Sequence, residues 1–227
     1  MDKDENAKIL DLGCGVGTTC RFVAKEFSAV TAIGVSIVPE QVITAHRLTR
    51  EAGVQNKATF FYGDYTDLSF ETDSFNGALA IESACYANGD DKVDFLKEAY
   101  RILKPGSTLV ITDAFRKHPD AMQGVTGKLY RAVCDNWAVD DFAEFYAFRK
   151  ALFNVGFKEI HMTDVSWNVA PSALHVPWVC LKFLAQQVLK GERLKPWSWR
   201  NVKASFMGML LGMCQKDFGY YLISAKK

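Results

Sequence analysis

Two short clusters in this chain combine residue types that do chemistry with a position at the end of an apolar run. The first is Ile9-Leu10-Asp11-Leu12-Gly13-Cys14-Gly15-Val16-Gly17, an acid followed by a glycine-rich turn. Glycines there admit unusual φ angles and let backbone amides come close to a ligand, and a helix starting after them adds partial positive charge. A polar or anionic group belongs on such a turn. The second cluster is Ala80-Ile81-Glu82-Ser83-Ala84-Cys85-Tyr86-Ala87. A carboxylate such as Glu82 can steady a developing cation, orient a nucleophile or accept a proton. The face of Tyr86 can stabilise a cation through its quadrupole. Cys85 has no histidine near it in sequence and reads as a small buried hydrophobe.

The four histidines, His46, His118, His161 and His175, show no metal-ligand spacing, so no metal site is expected. His46 is expected on a solvated helix face. His118 and His175 fall in segments placed to cover a substrate, where either serves as a base or as a surface residue.

The elements that position these clusters alternate from the start, the mark of βαβ units and a parallel sheet. Strands are expected at 8–12, 30–36, 58–62, 76–81 and 107–112, with helices at 18–27, 39–52 and 90–103. Pro39 suits a first helical turn, Gly53 ends the second helix, and Lys104-Pro105-Gly106 stops the third. Residues 114–139 carry no clean period and read as an insertion beside the substrate; a helix at 140–155 then ends at Gly156. Final strands are expected at 157–165 and 219–225, separated by a spacer too long for a simple connection and too apolar for a loop. The expected fold is a doubly wound, mostly parallel seven-stranded α/β sheet, Rossmann-like. Residues 1–113 form its cofactor half, and 114–227 complete a single domain with covering insertions at about 114–139 and 166–215.

In the second insertion Leu174, Trp178, Leu181, Ala185 and Val188 recur at spacings of three and four. Phe206, Met207, Met209, Leu210, Leu211 and Met213 form a further apolar patch. With Trp167, Trp197 and Trp199 they either wall a hydrophobic pocket or pack against the sheet.

Bulk properties narrow the partners. The 227 residues carry 27 basic and 26 acidic side chains, a net charge of +1, which leaves no surplus for a phosphate backbone and argues against nucleic acid. Forty-nine per cent hydrophobic and 23% charged is a globular composition. Six scattered cysteines without CxxC spacing, and no secretory leader pattern, point to a reduced cytoplasmic protein. No apolar stretch reaches the length of a spanning helix, which still leaves room for transient membrane contact. Nothing here fixes an oligomeric state.

The glycine spacing separates two cofactor classes. It is G-x-G-x-G with Thr18 where a dinucleotide fingerprint has its third glycine, and Ser36 stands where that fingerprint has an acid about 20 residues on. The turn instead resembles the first motif of the class I methyltransferases that use S-adenosylmethionine (SAM). The resemblance runs over roughly 8–113 and includes Gly63-Asp64-Tyr65 and Arg101-Ile102-Leu103-Lys104-Pro105-Gly106. It implies that Gly13, Cys14, Gly15 and Gly17 hold the polar end of SAM, that Asp11 accepts from its ammonium directly or through water, and that Asp64, beside Tyr65, bonds the adenine amino group. The segment Gly34-Val35-Ser36-Ile37-Val38-Pro39-Glu40-Gln41 is similar to the sterol C-methyltransferases and tocopherol methyltransferases, which also lack the ribose acid. That similarity places the ribose against Ser36 and Gln41, beside Ile37, with Glu40 as a substitute. Residues 80–87 resemble the sterol methyltransferase signature Ile-Glu-Ala-Thr-Cys-His, with Tyr86 replacing the histidine; this departure puts sterol itself in doubt as the acceptor.

The expected function is SAM-dependent methyl transfer to a small, largely apolar acceptor, an isoprenoid or specialised metabolite, with Glu82 and Tyr86 as the catalytic candidates. An N- or O-methyltransferase of a smaller metabolite is the first alternative. A silent SAM-binding subunit and a nicotinamide oxidoreductase are the others. The sterol-type relatives carry a helical segment ahead of the first motif, so this chain, whose first motif begins at Ile9, is expected to be naturally short or truncated.

Overall fold

The computed structural model describes residues 7–191 and 196–227. Its core is one seven-stranded sheet in the order β3-β2-β1-β4-β5-β7-β6. The strands are β1 (Ala7–Leu12), β2 (Val30–Ser36), β3 (Ala58–Tyr62), β4 (Phe75–Ile81), β5 (Leu103–Arg116), β6 (Lys158–Asp164) and β7 (Phe218–Lys226). The first five pair in parallel, and β7 runs antiparallel between β5 and β6. The crossovers are α1 (Thr18–Glu26), α2 (Pro39–Glu51), α3 (Val93–Ile102) and α5 (Phe145–Val155). This is the doubly wound arrangement that the alternating pattern predicts.

Strand β1 lies inside the sheet, between β2 and β4, and its last three residues, Leu10, Asp11 and Leu12, are all buried. Leu10 and Leu12 join Ala78, Ala80, Leu109 and Ile111 in the main apolar cluster, so the carboxyl ends of β1, β4 and β5 are locked by shared packing. A second cluster under the outer helices gathers Tyr130, Val133, Phe142, Leu211 and Phe218.

Three expectations need correction. The segment 114–139 is not irregular: β5 continues through Arg116 because residues 108–116 pair with β7, and α4 (Gly124–Trp137) follows. Its face of Tyr130, Val133 and Cys134 was hidden among polar neighbours. Lys104-Pro105-Gly106 does not form a separate stop but lies inside β5, since α3 already ends at Ile102. The helix expected from 140 starts only at α5, where the buried Glu144 accepts from the N–H groups of Tyr146 and Ala147 as a side-chain cap.

The long spacer folds as α6 (Ser166–Leu189) and α7 (Pro196–Gly212). The periodic stripe of α6 does not face the sheet: Leu174, Trp178, Leu181 and Val188 are exposed. In α7 only part of the patch is covered, with Leu211 buried and Leu210 and Met213 exposed. Trp167 and Trp199 are exposed as well. The Trp197 side chain lies outside the described residues.

Glycine is required where elements approach closely. Gly17 has φ +76°, and a Cβ there would collide with the Phe60 ring and crowd Ala45. Gly53 has φ +70° but faces open space. Both lose about 1–2 kcal/mol to left-handed strain when given a side chain. Gly17→Ala must in addition displace a buried ring, so its loss in urea denaturation is expected to exceed that of Gly53→Ala clearly. Equal losses would show that the contact with β3 is not tight.

Candidate active site

The two clusters converge at the carboxyl edge of the sheet, where ligands of doubly wound folds lie. The turn after β1 is built from three left-handed glycines, Gly13 (φ +87°), Gly15 (φ +53°) and Gly17 (φ +76°). Gly13 and Cys14 both donate to the Val35 carbonyl, at 3.0 and 2.9 Å, and Gly17 donates to Cys14. These bonds fix the turn and leave the N–H groups of Gly15 and Val16 as its open donors among the described residues. Helix α1 begins with no side-chain cap, so its first-turn amides are open as well. The amides of Gly13 and Cys14 are thus engaged by β2.

Asp11 is buried at the end of β1, and among the described residues its carboxylate accepts only from the Cys20 thiol, 3.6 Å away. Burial pushes its carboxyl up from the usual range to about 6, against the opposing effect of the Cys20 bond. A carboxylate with one weak donor among the described residues keeps lone pairs open for a further donor.

On β2 the Ser36 hydroxyl donates to Gln41 Oε1 at 2.7 Å and accepts from the Val38 N–H at 3.2 Å. The structure thus brings together the two residues expected at the ribose, with Ile37 exposed beside them and Glu40 on the exposed start of α2. Asp64 forms an Asx turn, accepting from the N–H and hydroxyl of Thr66 through Oδ1 alone. Its second oxygen and its exposed position keep it available. Tyr65 turns inward and donates to the Ser83 carbonyl at 2.8 Å.

The segment after β4 is held with care. Glu82 has φ +50°, a strained conformation for a non-glycine residue, while its N–H donates to the Thr112 carbonyl at 2.8 Å. Its side chain is exposed, and Oε1 accepts from the Tyr220 hydroxyl at 2.9 Å. A short 3-10 turn over Ala84–Tyr86 leaves Tyr86 exposed at the same edge. Beneath it the buried Lys92 donates to the carbonyls of Cys85, Ala87 and Asp141, tying this loop to the segment before α5. The Cys85 thiol is pushed well above its usual range by burial and by the nearby Asp113 carboxylate, which leaves it protonated and inert.

Two residues escaped the sequence reading. Asp113, 3% exposed on β5, accepts from the N–H groups of Cys85 and Ala114, and burial raises its carboxyl to about 6. The reasoning that singles out Glu82, an acid at the carboxyl edge of an apolar strand, also applies to Asp113. Tyr220 had no such signal, because it lies 138 residues from Glu82 on the antiparallel strand β7. Two of the four histidines are engaged elsewhere, while His161 and His175 are exposed. His46 is not simply solvated, since Nε2 lies 3.0 Å from the Phe60 carbonyl, and His118 lies 3.0 Å from Asp217. Among the described residues no cluster of metal-ligating side chains occurs. No helix there is long and apolar enough to cross a membrane.

Comparison with known proteins agrees with this geometry. Residues 9–106 match a family model described as a methyltransferase domain. The chain is 29% identical over 167 residues to norajmaline N-methyltransferase of Rauvolfia serpentina, covering 72% of this chain and 56% of that protein. It is 31% identical over 175 residues to 2-methyl-6-phytyl-1,4-hydroquinone methyltransferase of Synechocystis sp., covering 75% and 53%. The chain spans about half the length of these curated relatives. A crystal structure of a putative sarcosine dimethylglycine methyltransferase from Galdieria sulphuraria superposes with a TM-score of 0.78 at 20% identity, covering 97% of this chain and 78% of that one, which shows the shared fold. The glycine turn and the sheet order agree with these matches: residues 9–106 are similar to a methyltransferase domain, and the relatives the chain resembles include tocopherol and sterol methyltransferases.

Proposed function

We propose that the chain transfers a methyl group from SAM to a small, largely apolar acceptor of the isoprenoid or specialised-metabolite kind. The observation that carries this reading is the placement of Glu82, strained and pinned by Tyr220, at the same sheet edge as the glycine turn and Asp11. SAM, when bound, supplies a methyl carbon already activated by its sulfonium. The residues present suit it: the open amides of Gly15 and Val16, the buried Asp11 carboxylate for an ammonium, and the Ser36–Gln41 pair for ribose hydroxyls. Asp64 keeps one oxygen for the adenine amino group.

The chain's own part in the chemistry is alignment, exclusion of water and handling of charge. Positioning of this kind supplies up to about 7–11 kcal/mol. Glu82 accepts a proton from the acceptor or steadies the cation that forms on it, and the Tyr220 bond holds that carboxylate in one orientation. Tyr86 offers an aromatic face beside it. Strand β5, paired to β4 on one side and β7 on the other, supports reading 1–113 and 114–227 as halves of one domain. Six free cysteines support a reducing cytosolic setting.

The reading is tested by incubating the protein with labelled SAM and a panel of isoprenoid quinols, sterols and alkaloid amines, and identifying the compound that gains one CH2 by mass spectrometry. Label accumulating on a phenolic or alkenyl acceptor supports it. Label on a small polar amine alone would move the acceptor to the other class.

Protonation of Asp11 competes with the cation it receives. Its carboxyl titrates near 6, so SAM affinity is expected to fall as the pH drops through 6, by on the order of tenfold between pH 7 and 5. Asp11→Asn should bind more weakly at pH 7 and lose most of that pH dependence in titration calorimetry. An unchanged profile would detach Asp11 from the cofactor.

Glu82→Gln should keep the fold and SAM affinity while lowering kcat by about 10²-fold or more. Tyr220→Phe should lower kcat less, by about tenfold, through loss of the orienting bond. Earlier melting with normal turnover per folded molecule would make both residues structural.

A further inference from the structure

Helix α6 presents two apolar faces, and among the described residues only one has a partner. Cys180 is buried and Val176 and Phe183 are half-buried on the inner side, towards α7. The outer side carries Trp167, Leu174, Trp178, Leu181 and Val188, at 57–79% exposure. With 3.6 residues per turn these five fall within an arc of roughly 80°, one continuous stripe along the helix. Exposed apolar stripes of this size mark an interaction site.

The charge around the stripe identifies what it meets. Of the 27 basic and 26 acidic residues, seven basic and one acidic fall between 166 and 216, so the rest of the chain is net acidic. Helices α6 and α7 contain Lys182, Arg200 and Lys203 and no carboxylate. Lys182, four residues after Trp178, is exposed at the edge of the stripe, and Lys190 stands exposed at its end. Tryptophan with aliphatic residues on one face, rimmed by lysine and free of acid, is the composition of a helix that lies in the interface of an anionic bilayer. A groove on a protein partner would not call for two helices that carry cations and no carboxylate on an otherwise acidic molecule.

We propose that the outer face of α6 docks on an anionic lipid surface, parallel to the bilayer plane. The start of the helix is bonded to the site. Helix α6 begins at Ser166, whose hydroxyl accepts from the N–H of Tyr220 at 2.9 Å, and Tyr220 holds Glu82. Docking there brings the carboxyl edge of the sheet close to the headgroups, where an apolar acceptor is concentrated. The inference goes beyond the proposed reaction and holds for any acceptor.

The test is co-sedimentation of the full chain with vesicles of phosphatidylcholine alone and of phosphatidylcholine with phosphatidylserine, with tryptophan emission recorded in parallel. Binding is expected to the anionic vesicles, with a blue shift, weakened by raised salt and weak on neutral ones. Lys182→Glu should weaken it at least about fivefold. Trp178→Glu with Leu181→Glu should abolish it while circular dichroism and SAM binding stay unchanged. Three results would overturn the proposal: no sedimentation with either vesicle, binding indifferent to these variants, or a concentration-dependent dimer that the Trp178→Glu, Leu181→Glu variant dissolves.

Discussion

The site depends on how closely the carboxyl ends of the central strands can approach one another. Gly13 lies against the Ser83 side chain, Gly17 against the Phe60 ring, and a Cβ on Gly34 would stand 2.7 Å from the side chain of Cys14. Each contact removes a side chain so that one segment can seat on the next. Together they bring the turn after β1, the end of β2 and the loop after β4 to one edge. The Ser83 hydroxyl then donates to the Leu12 carbonyl, closing that contact with a hydrogen bond. Without these approaches Asp11, Ser36 and Glu82 would belong to separate strand ends.

The same packing sets the electrostatics. Asp11 and Asp113 are both raised to about 6 chiefly because burial penalises their charge, and each is only partly offset by its donors. Asp113 spends both oxygens on backbone amides, which makes it a brace for the Cys85 loop. Among the described residues Asp11 has only a thiol, and its other lone pairs stay open. Glu82, exposed and bonded to a single tyrosine, is free to act on whatever stands in front of it. Lys92 supports this division from below: burial lowers its ammonium, and its three carbonyl acceptors are what keep a buried charge tolerable.

Local signals carried most of the fold. Strands β2 and β3 fall at the expected residues because each is an apolar run closed by a turn, and α2 opens at Pro39 as its missing N–H predicts. Ser36 and Gln41 stand out in the sequence only by resemblance to the sterol and tocopherol methyltransferases, and the hydrogen bond that joins them is what the structure adds. What could not be read depends on distant partners. Strand β5 outran its expected end because β7 supplies its ladder, and Tyr220 reaches Glu82 for the same reason. The stripe of α6 was visible in its spacing. Its direction was not, because a helix apolar on two faces gives a periodic pattern that does not say which face the protein covers.

The central claim is that the turn after β1, with Asp11 behind it, receives SAM in preference to a dinucleotide. Titration calorimetry of the full chain with S-adenosylhomocysteine and with NAD under the same conditions tests it most directly. The account predicts one saturable site for S-adenosylhomocysteine and no saturable heat from NAD. Tighter binding of NAD would contradict it, and the glycine turn would then belong to an oxidoreductase.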